Sequence, residues 1–133
     1  MCLKNNFLFL IFVLFFSCDL YNNPTIYGQY KTRDNSLFSS NTIKDVSIDL
    51  KSDKTYILTT CSQTTHGHWT IEKDKLFLFC EKIRFNIDSI NLDERYAKGT
   101  ICDTLPDVYL IQDDKLSKKL KINNKDYSIN LYK

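Results

Sequence analysis

The stretch KTYILTTCSQTTHGHWTIEKDKLFLFC, residues 54–80, decides the fold. It divides into three runs, 54–61, 66–72 and 75–80, each rich in the β-branched, aromatic and aliphatic residues that suit a pleated surface. A two-residue connection at Lys73-Asp74 pairs Glu72 with Lys75, Ile71 with Leu76 and Trp69 with Leu78. Alternate residues of a strand share a face, so Trp69, Ile71, Leu76 and Leu78 form one side. The other side carries His68, Thr70, Phe77 and Phe79, which is not purely polar. A sheet apolar on both sides fits a barrel or sandwich better than a lone solvated sheet. Gly67, two before the only Trp, removes a side chain where a ring or another strand must come close.

Outward from this block, the same rhythm continues. Strands are expected at 26–31, 46–50, 107–112, 115–122 and 127–131, with turns at Lys51-Ser52-Asp53, Asp113-Asp114 and Asn123-Asn124-Lys125. Residues 85–92 alternate with one shift of phase, which predicts a strand with a bulge near Ser89, and 96–102 reads as a further strand bent at Gly99. Nine or ten short strands with turn signals every eight to twelve residues, and no sustained helical apolar stripe, predict an all-β, antiparallel up-and-down barrel. Closure also removes the exposed edges that a chain so rich in β-formers would otherwise present. A polar loop at 32–42 around Leu37-Phe38 is read as a buried loop anchor or a plug over one end.

The chain of 133 residues has room for one domain. Near its start, Lys4 precedes ten apolar residues, 7–16, too few for a spanning helix, which needs about 20. These are the length and flanks of a signal peptide with a helical core. Leu14-Phe15-Phe16-Ser17-Cys18 resembles the lipobox of bacterial lipoproteins, with small Ser17 before the cysteine. The resemblance implies cleavage before Cys18 and transfer of a diacylglycerol to its thiol, whose palmitate-like chains are enough to hold the protein on a bilayer. The expected organisation is signal peptide 1–17, lipidated cysteine and tether 18–25, and barrel 26–133. Asp19 resembles an inner-membrane retention signal, a rule that differs between bacterial groups, so the expected location is the cell envelope, inner or outer membrane.

Further residues resemble a family. The lipobox, then Gly28-Gln29-Tyr30, then Asp53-Lys54-Thr55-Tyr56 leading to Gly67-His68-Trp69-Thr70-Ile71 and Asp74-Lys75-Leu76-x-Leu78, look like the small lipocalin-like lipoproteins of bacterial envelopes. The resemblance implies an eight-to-ten-stranded barrel with an interior pocket and no enzymatic activity. Tyr30, Trp69 and Phe77 or Phe79 would line that pocket around a small apolar ligand. The alternative is a barrel packed solid, whose loops at 32–42 or 61–66 bind a protein, as an inhibitor or immunity lipoprotein would bind a toxin or lysozyme-type enzyme.

The remaining chemistry-bearing residues are few. Formal charge is +2, and 18 basic residues less Lys4 against 16 acids leave +1 after leader removal, with signs interspersed; no nucleic-acid partner is expected. With Cys2 and Cys18 set aside, Cys61, Cys80 and Cys102 remain, and an oxidising compartment should join two of them. Cys61–Cys80 is the first pairing to consider. It requires one partner to lie beyond the end of the middle strand, because strands two apart are separated by roughly 9–10 Å, past the ~7 Å bridging limit. Cys80–Cys102 is the second pairing, and one thiol is left over in either case. His66 and His68 share a face near Cys61 and are weak candidates for Zn²⁺ or copper, but His-x-His has low specificity and surface histidines are the plainer reading. Cys61 and His66 lack an orienting third group for nucleophilic catalysis. Asp93-Glu94 and Asp113-Asp114 fall in turns rather than across a cleft. No cofactor is expected.

Overall fold

The computed structural model describes residues 25–33 and 45–133. The signal peptide, Cys18, most of the tether and most of the 32–42 loop lie outside the described residues. Eight strands run in sequence order around a closed antiparallel barrel: β1 (Gly28–Lys31), β2 (Ser47–Leu50), β3 (Thr55–Thr59), β4 (Gln63–Glu72), β5 (Lys75–Phe85), β6 (Asp107–Gln112), β7 (Lys115–Ile122) and β8 (Lys125–Tyr132). Every neighbour in the ring is the next strand in the chain, so consecutive strands pair everywhere except at the β1–β8 seam, closed at Lys31–Tyr132.

The central hairpin has the expected register: Glu72 faces Lys75, Ile71 faces Leu76 and Trp69 faces Leu78 across a turn in which Lys73 takes φ 56°. At the β7–β8 turn Asn123 and Asn124 both adopt positive φ, 49° and 61°, the pair a type I′ turn demands and asparagine tolerates. No bulge forms near Ser89, where the chain is helical, but one lies earlier, in β5. Gly67 faces Cys80 and His66 faces Lys82, so Glu81 is the extra residue, and the facing of β5 reverses beyond it.

Twelve buried side chains fill the interior, among them Tyr30, Ile48, Leu50, Tyr56, Trp69, Leu76, Leu78, Tyr109, Leu116 and Leu131. Trp69 is 1% exposed. Its indole N–H donates to the Lys51 carbonyl at 3.2 Å, its backbone N–H to the Lys54 carbonyl at 2.8 Å, and the Lys54 ammonium stands 3.9 Å from the ring centroid. One side chain therefore pins the β2–β3 turn onto β4. The space for this is made at Gly67, where a Cβ would fall 1.9 Å from the Phe79 carbonyl oxygen and 2.9 Å from the Tyr56 ring.

Two expected strands are not strands. Residues 88–91 form a short helix, α1 (Asp88–Asn91), and residues 94–100 a 3-10 helix, η1 (Glu94–Thr100), which is why eight strands form rather than ten. Alternation marks a strand only where one set of side chains is buried, and no residue of α1 or η1 is. Local side chains decide instead. Asn91 accepts from the Phe85 N–H and donates to the Phe85 carbonyl, both at 2.8 Å, which ends β5, and the Asp93 carboxylate accepts from the Arg95 N–H at the start of η1.

Gly67→Ala forces a methyl into a backbone carbonyl and is expected to cost more than ~3 kcal/mol in chemical denaturation, with the β4–β5 amides losing exchange protection. Burial, with Asp107 and Glu81 adding repulsion, pushes the Tyr56 phenol up to about 12, and burial drives Tyr109 up as well. The folded state thus holds these protons more tightly than the unfolded chain, whose phenols ionise near 10. Their contribution is complete below about pH 10 and is lost as pH rises towards 12. Tyr56→Phe should move the alkaline unfolding midpoint to higher pH; an unchanged midpoint, followed by far-ultraviolet circular dichroism, would count against this coupling.

Candidate functional site

β5 leaves the barrel at Phe85 and β6 begins at Asp107, so residues 86–106 form an excursion on its rim. Asparagine and glutamine side chains fasten it. Asn86 donates to the Thr60 carbonyl at 3.0 Å and accepts from the Thr64 hydroxyl at 2.8 Å, its N–H bonds the Ser62 carbonyl, and Gln63 Nε2 donates to the Gly99 carbonyl at 2.8 Å. Phe85 and Tyr96 pack edge to face with centroids 6.1 Å apart. Arg95 grips Asp93, holding that carboxyl below its usual range through side-chain and then backbone hydrogen bonding. A disulfide, Cys80–Cys102, ties the returning chain to β5 with Cα atoms 5.5 Å apart.

This bond corrects the first expected pairing, Cys61–Cys80. Cys61 lies in the β3–β4 turn and is a free, exposed thiol. Cys80 faces Gly67, four residues into β4 from Gln63. At about 3.3 Å per residue that is ~13 Å of strand, against a ~7 Å bridging limit. The excursion instead brings Cys102 alongside.

The excursion is apolar where it meets solvent. Ile87, Leu92, Tyr96, Ile101 and Leu105 are five of the nine exposed large hydrophobic side chains among the described residues, Leu92 at 87% and Leu105 at 80%. Asp88, Asp93, Glu94 and Asp103 outnumber Arg95 and Lys98, giving residues 86–106 a net charge of −2. A rigid apolar patch rimmed by charge is the form of an interaction surface. The 61–66 loop, expected as a contact loop, abuts it through Ser62 and Gln63. The excursion itself was hidden in sequence by its strand-like alternation. Its density of Asp, Asn, Ser and Gly among the apolar residues was the available signal.

The four expected pocket residues divide between the shared core and the outer face. Tyr30 is in the core, its hydroxyl donating to the Ile26 carbonyl at 2.7 Å, and Trp69 is spent on the β2–β3 turn. Phe77 and Phe79 alternate with core Leu76 and Leu78 and therefore lie on the outer face, which corrects their placement in a shared interior pocket. There the His68 ring stacks on Phe79 at 4.9 Å, with its Nδ1 2.9 Å from the Glu81 carboxylate. His66 and His68 are both exposed on β4, and among the described residues no three His, Cys, Asp or Glu side chains converge as metal ligands. Comparisons with family models, curated proteins and solved structures returned no match for the chain.

Replacing Cys80 and Cys102 together by Ala should leave a folded barrel, less stable by about 2–4 kcal/mol. Trypsin should then cut at Arg95 and Lys98 well before it cuts the strands. Equal cleavage rates in the two proteins would show that the disulfide does not hold the excursion.

Proposed function

We propose that the chain is an exported, non-enzymatic envelope lipoprotein, anchored through Cys18, that binds a protein partner with its 86–106 excursion. The observation that carries this is the contrast between inside and outside. The barrel interior is occupied by its own tyrosine, tryptophan and aliphatic side chains, while large apolar groups are held out to solvent on a braced segment. Bracing before contact lowers the ordering cost of association, and the five apolar side chains offer candidate anchors. The acidic balance of the segment suits a basic partner surface. An inhibitor or immunity factor acting on a basic toxin or lysozyme-type enzyme fits this description, with the lipid anchor confining it to the envelope.

Photo-crosslinking amino acids placed at Leu92 and Leu105 in cells should yield one recurring protein adduct. The same label at Asn123, in the β7–β8 turn, should not. Leu92→Ser with Leu105→Ser should abolish the adduct formed from Ile101 without lowering the melting temperature. Adducts only with lipid, or the same adducts from Asn123, would sink the proposal. Mass analysis of the membrane-extracted chain reads the anchor separately, as a diacylglycerol on Cys18.

A further inference from the structure

The 86–106 excursion is fastened unequally along its length. Residues 86–100 are tied at both ends. Asn86 and Asn91 hold the start. At the finish Gln63 holds the Gly99 carbonyl, and Gly99 lies so close to Phe85 that a Cβ would fall 2.6 Å from the ring. Between these points run backbone bonds from Ile90, Asp93 and Tyr96, and the Thr100 hydroxyl donates to the Ala97 carbonyl. Residues 101–106 have nothing comparable. Among the described residues they form no hydrogen bond and no ion pair, and the β5–β6 ladder begins only at Leu78–Asp107. Between Gly99 and Asp107 the one attachment to the barrel is the Cys80–Cys102 bond.

That bond is placed where it can open without loss of the fold. Neither cysteine belongs to the buried core, both are half-exposed, and no residue of α1 or η1 is buried. The ring of eight strands is closed by its own ladders. Disulfides that solvent reaches are the more readily reduced ones, and regulatory bonds are drawn from them. Ile101 and Leu105, two of the five apolar groups that the excursion holds out to solvent, stand on either side of Cys102. Their course depends on one sulfur bond, whereas Leu92 stands between Asn91 and Asp93, whose side chains are hydrogen-bonded.

We infer that the Cys80–Cys102 bond is a reversible redox clasp that switches the excursion between a binding and a non-binding form. The reductant is a dithiol. Its thiolate attacks one sulfur of the pair, forming a mixed disulfide and releasing the other cysteine, and its second thiol then resolves the mixed bond. The cysteine pair gains two electrons and two protons, and the dithiol leaves as a disulfide. Residues 101–106, now fixed only at Gly99 and Asp107, lose their single course. A partner would then have to order them on contact, a cost that the closed clasp has already met. Oxidation of the two thiols restores the surface. The switching of binding rests on the protein-partner reading above; the opening of the clasp does not.

The test uses the mature chain with Cys61→Ser, which removes the free thiol and leaves this pair alone to titrate. Excess dithiothreitol without denaturant should add two hydrogen atoms by mass and leave the far-ultraviolet circular dichroism unchanged. Amide exchange should speed at least tenfold at residues 101–105, while Phe85 and Ile90 keep their protection, and oxidised glutathione should reverse both changes. In cells, the protein adduct from a photo-crosslinker at Leu105 should fall at least tenfold when Cys80 and Cys102 are both replaced by Ser, at equal protein level. A pair that is reduced only as the barrel unfolds, exchange at 101–105 that reduction leaves unchanged, or equal adducts from the closed and open forms would overturn the proposal. Absence of any adduct from the closed form would instead overturn the partner reading, and exchange would still decide whether the clasp opens.

Discussion

Burial of the Trp69 indole is the constraint around which the barrel is arranged. The ring lies inside the sheet, bonds the carbonyl of Lys51 and carries the Lys54 ammonium on its face. It can do so only because the neighbouring inward position, Gly67, has no side chain, so that the Tyr56 ring and the Phe79 backbone close over the gap. Side chain and backbone from three strands therefore meet at one point. From there the two long hairpin strands, β4 and β5, fix the curvature, and the remaining hairpins follow by local pairing. A fully buried aromatic side chain contributes roughly 2–3 kcal/mol, a large share of the marginal stability of a domain this size.

The same filling of the interior is what favours the proposed binding on the outside. An eight-stranded barrel is near the size at which side chains just occupy its core. Tyr30, Tyr56, Trp69 and Tyr109 do so here with aliphatic neighbours. The β5–β6 connection on the rim carries exposed apolar groups on a scaffold of amide hydrogen bonds and one disulfide.

Much of the architecture was legible because hairpins are local. The register at Lys73-Asp74, the turn at Asn123-Asn124, and the opposition of Gly67 and Cys80 all follow from alternation and turn chemistry within a few residues. Legibility ended where alternation lost its cause. Ile87 and Leu92 each belong to a strand-like alternation, 85–87 and 90–92, but face solvent, and hydrogen bonds to Asn91 and Asp93 wind the segment into helical turns instead. The disulfide ranks second in the sequence for the same reason: with 86–102 read as two strands, nothing favours Cys102 over Cys61 as the partner of Cys80, and the excursion decides it. The outward placement of Phe77 and Phe79 follows from their alternation with Leu76 and Leu78.

The barrel is not equally strong around its circumference. β4 and β5 share ten ladder pairs and β7 and β8 eight, but β1 and β8 share only the pair at Lys31 and Tyr132 among the described residues. The ring is therefore closed by its thinnest joint, and that joint involves the strand nearest the amino terminus. Mechanical load applied ahead of Thr25 enters β1 at Gly28, which is laddered to Leu50 of β2, and so reaches the closing pair at Lys31 only at the far end of the strand.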